Sequence, residues 1–444
     1  MGAVTKGTKK ASIAFVLVVI VLNTVGIGLV IPVLPSLIEG FYGGDIAKAS
    51  HTIGIFGAAY ATMQFLFAPM LGSLSDRYGR RLVILLAILG ATLDYVLLTF
   101  APTLSWLFVG RVVAGISGAS FSAAMAYIAD VTPEEDRAKN FGIAGAAFGV
   151  GYVLGPALGG LLGGFHLRAP FLVAAGLNAV SLVVGFFALP ESLAIEDRRA
   201  FDIRRANPIG SLLRFVKNPI LIGFTATLLC AFVAQCAVTS IWAIYAQERY
   251  RWEPLHIGIS LAVAGVTTGI VQGGLIGVSI KWFGEQKSVL LGLFFCVVSF
   301  GGIGFVTKGW MMYPLIVVFA MSGIVGPTIQ SLFSREVAKS EQGELQGLLT
   351  SVECIAAVIG PIAATRLFAR FAPAAAVPHA PGAPFYAAAL LDVVAIIIAW
   401  QLFARLQRRD AKTPLQPSSS ASDASPASLA SSETSAPVST GASD

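Results

Sequence analysis

The run LVILLAILGATLDYVLLTF, Leu82 to Phe100, holds one acid, Asp94. A carboxylate is costly inside a bilayer, so a chain that keeps one there neutralises it, pairs it or uses it. The chemistry open to such a group is proton carriage, with the proton taken up on one face and released on the other. The next apolar run, which contains GRVVAGISGA, carries Arg111. A guanidinium stays charged and needs a partner, either a carboxylate or backbone carbonyls. Two more acids fall in apolar runs of the second half, Glu353 in LLTSVECIAAVIG and Asp392 in YAAALLDVVAIIIAW. Each reads as a titratable group or as a structurally satisfied acid. Asn23, Gln64, Gln235, Gln272 and Gln330, with several Phe residues, outline a pathway suited to a neutral or amphipathic compound. Cys230, Cys236, Cys296 and Cys354 all sit in apolar runs, with neither a disulfide framework nor a metal-ligand spacing. No metal or cofactor is expected.

The elements that carry these residues follow from composition. Of 444 residues, 56% are hydrophobic and 12% charged, and the mean hydropathy is +0.78. An ordinary soluble domain is about 25% charged. The apolar runs are about 20 residues long, which is the length of a membrane helix rather than of a barrel strand. The expectation is an all-α membrane protein with twelve spans, at 12–37, 51–72, 81–101, 104–128, 140–163, 169–189, 219–246, 257–281, 287–306, 310–333, 345–370 and 383–405. The pI near 9.2 does not indicate nucleic acid, because Lys and Arg concentrate in alternate loops, as topology requires. That bias puts both termini in the cytoplasm. The first run follows Lys6, Lys9 and Lys10, but it is too long for a signal peptide and reads as a retained helix.

The charged stretch ESLAIEDRRAFDIRRANP divides the spans six and six. The expected organisation is a first half over 1–190, a linker over 191–218, a second half over 219–409 and a disordered Ser/Ala-rich tail over 410–444. The halves repeat at a constant offset of about 205 positions. Gly72 falls on Gly277, Gly79 on Gly284, Gly118 on Gly323, Gly142 on Gly347, and Gly155–Pro156 on Gly360–Pro361. The same offset sets Asp76 against Lys281 and Asp130 against Arg335. Opposite charges at equivalent helix ends predict attraction across the seam when it closes.

Three motifs give this frame a family likeness. GSLSDRYGRR holds Gly72, Asp76, Arg77, Gly79, Arg80 and Arg81, with Asp76 expected to cap a neighbouring helix. GIAGAAFGVGYVLGPALGG holds Gly142, Gly151, Gly155, Pro156, Gly159 and Gly160, where small residues permit close helix approach and the proline bends the helix. With GRVVAGISGA, these resemble the signature loop, antiporter motif and proton-transfer motif of the major facilitator superfamily. NTVGIGLVIPVLPSLI, GATLDYVLLTFA, WFGEQK and GELQGLL extend the likeness to the tetracycline efflux branch, over nearly the whole membrane region.

The resemblance implies two six-helix pseudo-repeats with a substrate site between them, a proton-coupled drug antiporter of the inner membrane, and no enzyme chemistry. Its partners would be protons, a small-molecule substrate and the bilayer, with the chain acting as a monomer. On that likeness Asp94 matches an acid needed for transport, and Tyr60, Gln64 and Gln272 match polar positions near the pathway. The chain departs from the branch at three places, with Asn23 and Cys296 standing where the branch has acids and Thr268 where it has a His. These departures bear on the substrate rather than the fold. Export of an endogenous metabolite or siderophore, or a transport-inactive sensor, are the competing readings.

Overall fold

The computed structural model describes residues 6–119, 121–198, 219–337, 342–373 and 376–412. Most of the expected linker and nearly all of the expected tail lie outside the described residues. Among the described residues, twelve helices are long and apolar enough to cross a membrane. They are α1 (Lys6–Val30), α2 (Ile46–Tyr78), α3 (Arg80–Phe100), α4 (Leu104–Val131), α5 (Glu134–Phe165), α6 (Ala169–Ala188), α7 (Pro219–Tyr250), α8 (Pro254–Phe283), α9 (Glu285–Phe305), α10 (Gly309–Arg335), α11 (Gln342–Phe371) and α12 (Ala383–Lys412). Residues Met1–Phe403 form one compact unit that contains both halves, and a second unit starts at Ala404.

Local chemistry sets the helix ends. The first span was expected to reach residue 37, but α1 stops at Val30 and a short helix, Leu34–Phe41, begins separately. Pro32 and Pro35 explain the break, because each lacks an amide donor and crowds the preceding turn. The second helix starts earlier than expected, where the Asp45 side chain caps it by accepting from the Lys48 amide at 3.1 Å. Helix α8 contains a π turn at Val271–Leu275, so Gln272 lies on a local widening of the helix. The joints α2–α3 and α8–α9 repeat faithfully, with Gly79 at φ +102° and Gly284 at φ +78°. Residues with a Cβ avoid that region, which accounts for glycine at both places.

The halves meet through two helix crossings. On α5, Gly160 lies against Pro254 and Gly258 of α8, and a Cβ on Gly160 would come 2.5 Å from the Pro254 carbonyl oxygen. On the other side, Gly54 of α2 lies against Thr365 and Pro361 of α11. Gly151, Gly155 and Gly159 form a separate stripe on α5 that seats Thr24, Val25, Gly28 and Leu29 of α1. Helix α5 therefore uses small residues on two faces, one within its half and one across the seam. Gly142 lies on α5 outside the residues whose packing is described. Both crossings sit away from the end that carries Arg77, Arg80, Arg81 and Lys281, here called the basic end. Toward that end the helices part, and a Cβ on Gly149 of α5 or Gly269 of α8 would meet nothing within 4 Å.

Candidate functional site

Helices α3 and α4 are antiparallel neighbours, which brings residues 94 and 111 together inside the first half. Arg111 Nη2 donates to Asp94 Oδ2 at 2.5 Å, with Asp94 1% exposed and Arg111 8% exposed. Gly110 makes room for this, since a Cβ there would sit 2.7 Å from Asp94 Oδ1. The pair is only partly satisfied, because Asp94 Oδ1 and Arg111 Nε have no hydrogen-bond partner. Opposite charges offset each other's burial cost only when the remaining donors and acceptors are also met. One carboxylate oxygen and one guanidinium N–H therefore keep unused hydrogen-bonding capacity.

This pair lines a cavity of about 210 Å³ with Asn23, Tyr60 and Ser117. Thr239 and Ser240 of α7 complete the wall, so the cavity lies between the halves. A second cavity, of about 470 Å³, lies largely in the second half. Phe148, Tyr152, Phe232, Trp242, Phe300 and Phe319 supply its aromatic faces. Gln235 and Gln272 are its amide handles, and Thr239 is shared with the first cavity. No charged side chain among the described residues lines it. Its shape is held by packing: Trp242 Nε1 donates to Ser260 Oγ at 2.9 Å, and the Phe300 and Phe319 rings stack 5.4 Å apart. Thr268 and Cys296, two of the three departures from the efflux pattern, both lie in its wall.

The other expected pathway residues are placed differently. Gln64 lies beside Gly118 and Gln330 is exposed, and neither lines these cavities. Glu353 is exposed on α11, whereas Asp392 is buried on α12. Tyr95, Thr239 and Trp242 were not picked out from sequence, since an isolated aromatic or Thr in an apolar run carries no signal there. Among the described residues no group of three or more His, Cys, Asp or Glu could hold a metal ion.

At the basic end each half satisfies its own charges. Asp76 pairs with Arg80 at 2.5 Å, and Arg80 Nε reaches Asp130 Oδ2 at 3.3 Å. Arg335 makes two hydrogen bonds to Glu285, at 2.6 and 2.8 Å. The 205 offset carries Arg80 onto Glu285 and Asp130 onto Arg335, so the same contact recurs with its charges exchanged. Asp76–Lys281 and Asp130–Arg335 are not among the ion pairs of the described residues, because the halves stand apart at this end. Asp76 does not cap α3. Glu191 does so instead, accepting from the Arg80 amide at 2.8 Å and the Arg81 amide at 3.3 Å. Asp76 is engaged by Arg80, and Gly79 leaves the space that Glu191 occupies. Arg81 donates to the Phe186 carbonyl and Arg77 stacks on Tyr78, which anchors the loop.

The opposite end carries a latch that sequence reasoning missed. Gln247 Nε2 of α7 donates to Glu39 Oε2 at 2.9 Å, and Ser36 Oγ donates to Gln247 Oε1 at 3.4 Å. Glu39 lies on the short helix after α1, outside the spans, so these bonds join the two halves. Burial pushes the Glu39 carboxyl above its ordinary range, and the Glu248 carboxylate adds to this, against the Gln247 hydrogen bond and Arg251.

Two six-helix halves, parted at one end and latched at the other around an intramembrane ion pair, have the architecture of a membrane transporter. The chain belongs to the Major Facilitator Superfamily, whose pattern matches residues 16–361. It is 42% identical over 352 residues to the class C tetracycline resistance protein of Escherichia coli, covering 79% of this chain and 88% of that one. It is 38% identical over 352 residues to the class E protein of Escherichia coli, covering 79% and 86%. A crystal structure of the nucleoside transporter NupG shares the fold, with a TM-score of 0.71 at 12% identity over 88% of this chain and 98% of that one. The relatives support drug export as the coarse function.

Proposed function

We propose that the chain is a proton-coupled antiporter that moves a small amphipathic compound out of the cytoplasm by alternating access. The observation that carries this reading is the half-satisfied Asp94–Arg111 pair in the wall of a cavity between the halves. The Lys/Arg bias supports a cytoplasmic basic end, and on this reading the parted end faces inward in the cytoplasmic membrane. Substrate enters from the basic end and rests on the aromatic wall of the larger cavity, with Gln235 and Gln272 as hydrogen-bond partners. A proton delivered to Asp94 from outside removes its charge and frees Arg111. Loss of that proton to the cytoplasm restores the pair. The two states of the pair favour different arrangements of the halves, and a ligand shifts the balance only through such a difference.

The relatives' names point to tetracycline, but Asn23, Thr268 and Cys296 line the cavities where the branch has charged or imidazole groups. Tetracycline resistance is therefore expected to be weak, with uncharged or singly cationic aromatic compounds as the better substrates. The test is a susceptibility screen in an efflux-deficient host, followed by flux into proteoliposomes under an imposed pH gradient. Gradient-independent movement of every compound that confers resistance would overturn proton coupling.

A further inference from the structure

Asp392 is the second intramembrane acid buried from view, and it differs from Asp94 in having no hydrogen-bond partner at all. It is 1% exposed, and neither carboxyl oxygen makes a hydrogen bond. Its helix is seated between α7 and α9: Gly223 of α7 lies against Leu402, and Gly304 of α9 lies against Tyr386. Asp392 falls between those two contacts along α12. The titratable groups that face it are thiols, Cys230 on α7 and Cys296 on α9, both within its electrostatic reach. Cys296 is also part of the wall of the larger cavity, as are Leu228 and Ala231 beside Cys230. The two helices packed against α12 around the acid thus also supply part of the cavity wall.

An unpaired ion in such a seat costs far more than the neutral acid, and even the neutral acid lacks an acceptor for its hydroxyl. A buried orphan of this kind in a native chain calls for an explanation. Asp392 reaches the neighbourhood of Cys296 from the adjoining helix. We infer that Asp392 is a second proton-binding site, belonging to the second half, which exchanges its proton with the larger cavity past Cys296. It rests on the proton-coupled reading and deepens it: each half carries one buried intramembrane acid among the described residues, and a full cycle moves two protons. In this state the Asp392 site holds its proton and the Asp94 site is ionised against Arg111.

The experiment uses full-length protein in phosphatidylethanolamine–phosphatidylglycerol vesicles, with infrared difference spectra recorded in H2O and D2O as pH is changed. Wild type is expected to show a protonated-carboxyl band that shifts in D2O. Asp392→Asn should remove that band, Asp392→Glu should move it, and Asp94→Asn should leave it in place. Ethidium, as a cationic probe, should drive release of one fewer proton per transported cation in Asp392→Asn than in wild type. A band that survives Asp392→Asn, or one that Asp392 supplies but that never shifts in D2O, overturns the inference. The proton-coupled reading fails separately, if wild-type vesicles release no proton with ethidium flux. Asp392→Glu covers the case in which the amide variant does not fold, since a band that does not move in the glutamate variant is not from this site.

Discussion

The two halves share a frame but not a chemistry. In the first, Asp94 and Arg111 face each other in a polar cavity. The 205 offset carries these positions onto Ser299 and Ile316. Ser299 is buried and donates to the Leu315 carbonyl at 2.9 Å, and Ile316 joins the aromatic wall of the larger cavity. The equivalent place in the second half has thus become apolar and self-satisfied. The difference is one of lining: the first half keeps a charged pair in its cavity wall, and the second lines the larger cavity without a charged side chain among the described residues. At the basic end the opposite holds, since Arg80–Asp130 and Glu285–Arg335 preserve the same contact and exchange only its sign. The two rims thus carry opposite sign patterns.

Breaking the charged half is expected to have the largest effect. Arg111→Leu leaves Asp94 without its partner and should lower stability by about 3–5 kcal/mol. Adding Asp94→Leu should recover most of that loss while proton-driven flux stays at background. Thermal unfolding and flux at matched protein amounts read the two effects apart. A double variant that transports uphill at the wild-type rate would move the proton chemistry elsewhere.

The seam comes next. Gly160→Val drives a side chain into the Pro254 carbonyl and should reduce turnover at least about tenfold, a shift of roughly 1.4 kcal/mol. Gly149→Ala on the same helix, where the halves are parted, should be near neutral. Equal damage from both would mean that the crossing at Gly160 has no special part in closure.

The apolar half predicts a change in affinity. Phe232→Ala should raise KM for ethidium severalfold, through loss of about 0.5–1.5 kcal/mol of aromatic contact, with kcat little changed. A fall in kcat at constant KM would place Phe232 in the conformational step instead.

The latch predicts a pH effect with a definite sign. Glu39 binds its proton more readily in the latched state than in free solution, because burial and Glu248 disfavour its charged form. Latching is therefore favoured at acidic pH, and that advantage is lost as pH rises through the elevated value. Labelling of Ile46→Cys should increase as external pH rises, and Glu39→Gln should flatten the dependence. An unchanged profile in Glu39→Gln would assign the effect to another group.

The smallest effect concerns the rims. Exchanging Glu285→Arg with Arg335→Glu keeps the pair and should change stability by less than about 1 kcal/mol, since it is partly exposed. The exchange gives both rims the same sign pattern, so turnover should slow modestly and recover in high salt. A salt-independent loss would point to packing rather than charge.

How much was legible in the sequence follows the range of each interaction. Spans are sums over neighbours in the chain, so all twelve emerged, and the errors fell where a proline or a cap intervened, as at Pro32 and Asp45. The Gly79 and Gly284 joints were visible because backbone conformation is a property of one residue. Asp94 stood out because an acid in an apolar run is anomalous wherever it lies.

The tertiary structure alone decided which anomalies are paired. Arg111 holds Asp94 while no hydrogen bond holds Asp392, although both acids read alike in the chain. Glu191 caps α3 from 111 positions away, and Gln247 latches Glu39 from 208 positions away. Hydropathy adds up along the chain and can be read from it. A charge is stabilised by whatever lies a few ångströms away through space, and that neighbour is set only when the helices pack.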